Sequence, residues 1–248
     1  MKLIHYILYA CVAVLLISCD SGDIAERVYT VDEKGLTVKV TARLSNLDEW
    51  DGTGYTLAVA GFTADSKFAI LQKALSSSIG GSWEGAIVLS NISSEVQTVE
   101  VALTNSLRKR LISLATINMA EHADKTAHDT IRLDLGTIDV GRFGVLQTGL
   151  FNRACIQCHG GNGRSAAGLN LTEGNALSNL VNVPSTRREG MLRVVSGNAE
   201  SSLLHQVLSE GGENLLSHNH TEILSSQFKS NLEEVNNLID SWIEHLKP

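Results

Sequence analysis

The chain has 248 residues, 43% of them apolar and 19% charged, with a formal net charge of −7 at pH 7. That balance excludes a disordered polymer, a collagen and a polytopic membrane protein, and it suits one or two globular domains. Lys and Arg number 20 against 27 Asp and Glu, and no basic run exceeds Arg108-Lys109-Arg110, so nucleic acid is not an expected partner.

Residues 1–18 read as an export signal. Lys2 gives a basic start, Ile7 to Ile17 an apolar core too short to span a bilayer as a helix, and Ser18 a small residue at the cleavage point. Leu16-Ile17-Ser18-Cys19 resembles the lipobox of bacterial lipoproteins. The resemblance implies that Cys19 is lipidated and becomes the first residue of the mature chain; a plain secretory signal with an incidental cysteine is the alternative. Residues 19–34, opening on Asp20-Ser21-Gly22-Asp23, then form a tether. The expected place is the bacterial cell envelope, lipid-anchored to a membrane on the periplasmic or outer-surface side, with the leaflet left open. Of four cysteines, Cys11 leaves with the signal and Cys19 takes lipid. Cys155 and Cys158 remain, and none is left for a structural disulfide.

From residue 35 to residue 140 the pattern has period two. Leu36, Val38, Val40, Ala42 and Leu44 alternate with polar residues, placing one row on a core and the other in water. Tyr55-Leu57-Val59, Val99-Val101-Leu103 and Ile131-Leu133-Leu135 repeat it, and the apolar runs 69–75, 86–89 and 111–117 bring the count to about seven strands. Turn-rich pieces such as Asp51-Gly52-Thr53-Gly54 separate them. The expectation is an antiparallel β-sandwich of immunoglobulin-like type without the inter-sheet disulfide, in which Trp50 and Trp83 serve as core or edge aromatics.

Near Gly141 the period changes, which sets a second domain over residues 141–248. Phe143, Leu146, Leu150 and Phe151 form a short helical stripe. The chain ends on an amphipathic helix with Ser230 and Glu233 as a capping pair and Leu232, Val235, Leu238, Ile239, Trp242, Ile243 and Leu246 on one face. Between these helices lies Cys155-Ile156-Gln157-Cys158-His159. Two thiols at this spacing can reach the two vinyl groups of one haem, and the adjoining histidine can then ligate the iron. A structural zinc site would need further ligands, and a thioredoxin-like redox pair would follow a strand and open a helix rather than a Gly-rich loop.

Cys155 to Gly160, with Ala167-Gly168-Leu169-Asn170-Leu171, Asn179 to Ser185, Arg193 to Leu204 and Ile239-Asp240-Ser241-Trp242-Ile243, resembles the small c-type cytochrome domains fused to larger modules in planctomycetes and related bacteria. The resemblance covers roughly residues 143–247. It implies an all-α cytochrome c domain with one covalent haem c, Cys155 and Cys158 as attachment points and His159 as proximal ligand. It also implies that the helix before the motif crosses the C-terminal helix, with Gly149 at the close approach. Such domains usually place Met-Pro before the last helix, and this chain has no methionine there. Its loop offers His218 and His220, which favours bis-histidine iron with His218 ahead of His220; Met191 or an open distal face are the alternatives. His205 reads as a surface or packing residue.

Two imidazoles would give a low-potential centre that makes and breaks no substrate bond. The expected function is therefore membrane-anchored, extracytoplasmic electron transfer between redox proteins, a carrier more than an enzyme. A haem-based gas sensor, or a surface-binding lipoprotein with an accessory haem, are the alternatives. The partner of the sandwich stays open.

Overall fold

The computed structural model describes residues 35–76, 80–127, 129–228 and 232–247. The expected signal, the lipidation site Cys19 and the tether lie outside the described residues.

Seven strands form where the alternation and apolar runs place them: β1 (Leu36–Ser45), β2 (Tyr55–Phe62), β3 (Leu71–Ala74), β4 (Trp83–Ile92), β5 (Thr98–Asn105), β6 (Arg110–Asn118) and β7 (Thr130–Asp139). They make two sheets, ordered β4-β1-β7 and β3-β2-β5-β6. Val38, Val40, Ala42 and Leu44 of β1 are buried, as are Leu57 and Val59 of β2 and Val99, Val101 and Leu103 of β5, and these rows belong to one hydrophobic core. The other face of the four-stranded sheet is also covered in part. There Ala60 and Phe62 pack with Ala69, the Arg110 guanidinium lies over the Phe62 ring, and Glu100 pairs with Arg110.

Beyond β7 the chain turns at once into α1 (Arg142–Leu146), which continues as a π-helical stretch (Gln147–Cys155) and a last α-turn, α2 (Ile156–His159). Short helices α3 (Ala176–Leu180) and α4 (Leu203–Leu208) follow, then α5 (His220–Phe228) and α6 (Leu232–His245). The start of α1 is pinned from the sandwich. Trp50 Nε1 donates to the Val140 carbonyl at 2.6 Å and the Arg142 N–H donates to Glu49 Oε2 at 2.8 Å. Val145, Leu146, Leu150 and Phe151 are buried, and the same hydrophobic core continues from the strands through these residues to Val235, Leu238, Ile239 and Trp242 of α6.

The expected fold class is corrected in both halves. The sandwich is not the purely antiparallel one expected: β1 pairs antiparallel with β4 but parallel with β7, Val38 opposite Ile131 and Val40 opposite Leu133. Parallel neighbours need a long crossover, which local alternation does not report. The C-terminal half is not an all-α cytochrome c domain. After the helical run that ends at His159, the two helices before α5 have only five and six residues, and the chain between them runs through isolated bridges, Val181 with Val194, Pro184 with Leu192 and Val195 with Asn198. Gly161, Asn162, Gly163, Ala167 and Gly168 take left-handed conformations within eight residues, which stops helix growth. The whole is a mixed α and β arrangement with the helical part laid on the strands.

Gly149 is a close-approach point, but against a strand. A Cβ there would lie 2.5 Å from Ile112 Cγ1 and 3.2 Å from the Ser113 carbonyl oxygen of β6. The contact with α6 comes one turn earlier, where the Phe143 and Trp242 rings sit 5.3 Å apart. Gly149→Ala should therefore destabilise the chain by about 1–3 kcal/mol through overpacking. Chemical denaturation reads this directly, and an unshifted midpoint would contradict the helix-on-strand packing.

Candidate functional site

The π-helical stretch delivers Cys155 to the start of α2, and that turn sets Cys155, Cys158 and His159 at i, i+3 and i+4, hence on one side of the helix. Gly160 ends it: a Cβ there would meet the Ile156 carbonyl oxygen at 2.2 Å. Cys155 is partly buried against the core, Cys158 is exposed, and both thiols are free. Burial, with a smaller contribution from Cys158, pushes the Cys155 thiol up to about 12. A thiol so protonated at neutral pH is a poor redox nucleophile.

The structure brings His220, the first residue of α5, to His159. The two imidazole planes are within 17° of parallel and their centroids are 6.3 Å apart. Neighbouring aromatic rings have centroids about 4.5–7 Å apart, so the two imidazoles are direct neighbours. Two imidazoles on opposite sides of one transition metal, each bound at about 2.0–2.1 Å, have centroids about 6 Å apart. Each ring also has its Nδ1 committed. His159 Nδ1 donates to the Ala166 carbonyl at 3.0 Å, and His220 Nδ1 donates to the His218 carbonyl at 2.9 Å. A carbonyl only accepts, so both rings are Nδ1–H tautomers whose Nε2 carries the lone pair, the second-shell arrangement typical of metal-bound histidine.

The other sequence candidates fall elsewhere. His218 is exposed and serves the pair through its carbonyl. Met191 packs against the hydrophobic core. His205 joins a polar cluster: its Nδ1 lies 2.7 Å from Asp240 Oδ1, and Ser209 Oγ lies 3.3 Å from its Nε2. The order Ser, His, Asp resembles a nucleophile relay, but Ser209 Oγ donates to the His205 carbonyl at 2.8 Å, so its proton is spent on closing α4. The cluster ties α4 to α6. Among the described residues no three His, Cys, Asp or Glu side chains converge on a point that could hold a bare metal ion, and no described helix is long and apolar enough to cross a membrane.

Two features of the site escaped the sequence reading. Asn219 Oδ1 accepts from the Glu222 N–H at 3.2 Å, a capping contact that makes His220 the first helical residue; Asn219-His220-Thr221-Glu222 carries the corresponding signature. Arg193 is 9% exposed, and its guanidinium binds three backbone carbonyls around the loop that follows His159. An arginine between Leu192 and Val194 was its only trace. Comparison with protein-family models, with curated proteins and with solved structures finds no match.

Burial holds both imidazoles below their ordinary value of 6.5. For His159 the Ala166 and Leu169 carbonyls oppose the shift; for His220 the His218 carbonyl does. The unfolded chain therefore binds these protons more readily than the folded one. Stability of the cofactor-free chain should be full above the ordinary histidine range and fall as pH drops through 6.5 toward the depressed folded values. His159→Asn with His220→Asn should flatten that dependence. Urea titrations at neutral and mildly acidic pH measure it, and an unchanged slope in the double variant would show that the two rings do not carry it.

Proposed function

We propose that this chain is a monohaem c-type electron carrier, with haem c held by Cys155 and Cys158 and its iron by His159 and His220. The observation that carries the reading is the His159–His220 pair: one ring inside Cys-x-x-Cys-His, the other presented from α5 at a metal-spanning distance, both in the tautomer a metal requires. The residues fit the group in number, kind and spacing. The reading rests on this donor set and makes no appeal to a cytochrome fold.

Haem c, when bound, supplies a one-electron iron couple that needs no bond to a substrate. The protein's part is to hold and to exclude. Cys155 and Cys158 anchor the group on one side of α2. His159 and His220 would hold the iron, and two imidazole donors would give a lower potential than an imidazole–thioether pair. The sandwich provides the rigid wall, through β6 and Gly149, from which α2 is hung. We place the carrier outside the cytoplasm, tethered by lipid on Cys19, because the motif follows an export signal and a lipobox-like sequence. Its partners are then extracytoplasmic redox proteins.

Expression with a haem-lyase pathway should yield one haem c per chain by pyridine haemochrome assay, and Cys155→Ala with Cys158→Ala should abolish covalent retention. A colourless wild-type protein from a competent host would overturn the reading. Within loaded protein, His220→Ala should convert the low-spin optical and EPR spectrum to high-spin, while His218→Ala leaves it low-spin. The reverse result would move the distal ligand to His218. Rapid carbon monoxide binding by the reduced wild type would argue for a sensor instead.

A further inference from the structure

We propose that Arg193 is the positioning residue of the His159 site, acting through the backbone of residues 166–168. This rests on the function proposed above only for its consequence; the geometry stands without it.

The Ala166 carbonyl that accepts from His159 Nδ1 belongs to a loop in an unfavourable conformation. Ala167 sits at φ +56°, a left-handed position that is unfavourable for a residue with a Cβ. The direction of the Ala166 carbonyl depends on the torsions at that same peptide, so whatever fixes Ala167 also aims the acceptor. Two side chains do so. Thr186 Oγ1 donates to the Ala167 carbonyl at 2.8 Å, and Arg193 Nη2 donates to it at 3.0 Å and to the Gly168 carbonyl at 3.3 Å. The other arm of the fork, Arg193 Nη1, donates to the Asn179 carbonyl at 2.8 Å, at the end of α3. One planar guanidinium thus spans the loop after His159 and the helix behind it. Its own backbone is fixed, with the Arg193 N–H on the Val183 carbonyl at 2.8 Å and its carbonyl accepting from Leu204 N–H at 2.9 Å.

This arrangement is expensive for a residue with only a structural task. A buried guanidinium whose partners among the described residues are neutral carbonyls keeps its desolvation cost with no carboxylate there to offset it. A shorter amide could brace a loop. What the fork supplies is a fixed span between three acceptors, which a point donor such as lysine does not reproduce. The consequence is a single tautomer and a single ring orientation at His159, the property a proximal ligand needs.

The test compares wild type, Arg193→Gln and Arg193→Lys in the full chain. In cofactor-free protein, long-range proton–nitrogen NMR of His159 should show one Nδ1–H tautomer in wild type and a second, Nε2–H population in both variants. In haem-loaded protein the single low-spin EPR signal of wild type should split or broaden in both variants, with haem content kept. Arg193→Lys preserves the charge, so it decides the matter if Arg193→Gln does not fold. An unchanged tautomer and an unchanged EPR signal in a folded variant would overturn the positioning role. If wild type takes up no covalent haem, the functional reading fails while the NMR comparison still decides the role of Arg193.

Discussion

The near-parallel seating of His159 and His220, their ring planes 17° apart and their centroids separated by 6.3 Å, ties the helix that carries Cys155 and Cys158 to the start of α5. His159 is fixed by the Ala166 carbonyl on its Nδ1 and by the short α2 turn that Gly160 terminates. His220 is fixed by the His218 carbonyl and by the Asn219 cap that starts α5. A pair of half-buried histidines stabilises little by itself, because burial works against their charged forms and neither has a carboxylate partner among its principal contacts. The surrounding hydrogen bonds fix the orientation of both rings.

The sandwich earns its place in that arrangement by rigidity. β6 receives the π-helical stretch at Gly149, Trp50 and Glu49 fix the first turn of α1, and an ion pair joins Lys109, just before β6, to Glu234 of α6. Because the apolar core runs without a break from the strands to α6, displacement of the helix that carries Cys155 would open buried surface on β6 and on α6 together. Close-packed interiors resist such motion, since even one methylene of mismatch is felt.

The thiols and the second histidine cluster show how the same residue types take other roles under other surroundings. Cys155 is raised by burial to about 12, which makes it a poor thiol for exchange. His205, Asp240 and Ser209 reproduce the order of a hydrolytic relay, yet the serine proton goes to a helix carbonyl. Geometry at the level of single hydrogen bonds separates a functional array from a structural one.

Local signals were legible in the sequence because they act over a few residues. Alternation fixed the strands, since a half-buried strand must place every second side chain inside. The Cys-x-x-Cys-His spacing fixed three donors on one helical side, since positions i, i+3 and i+4 share a face. Tertiary structure alone decided the parallel pairing of β1 with β7, the absence of an all-α second domain, the seat of Gly149 on β6, and the choice of His220 over His218 opposite His159. Each of these depends on which surfaces meet across long chain separations. The two histidines differ by only two positions, and His220, which opens α5 where the Glu222 N–H donates to the Asn219 side chain, is the one that lies beside His159.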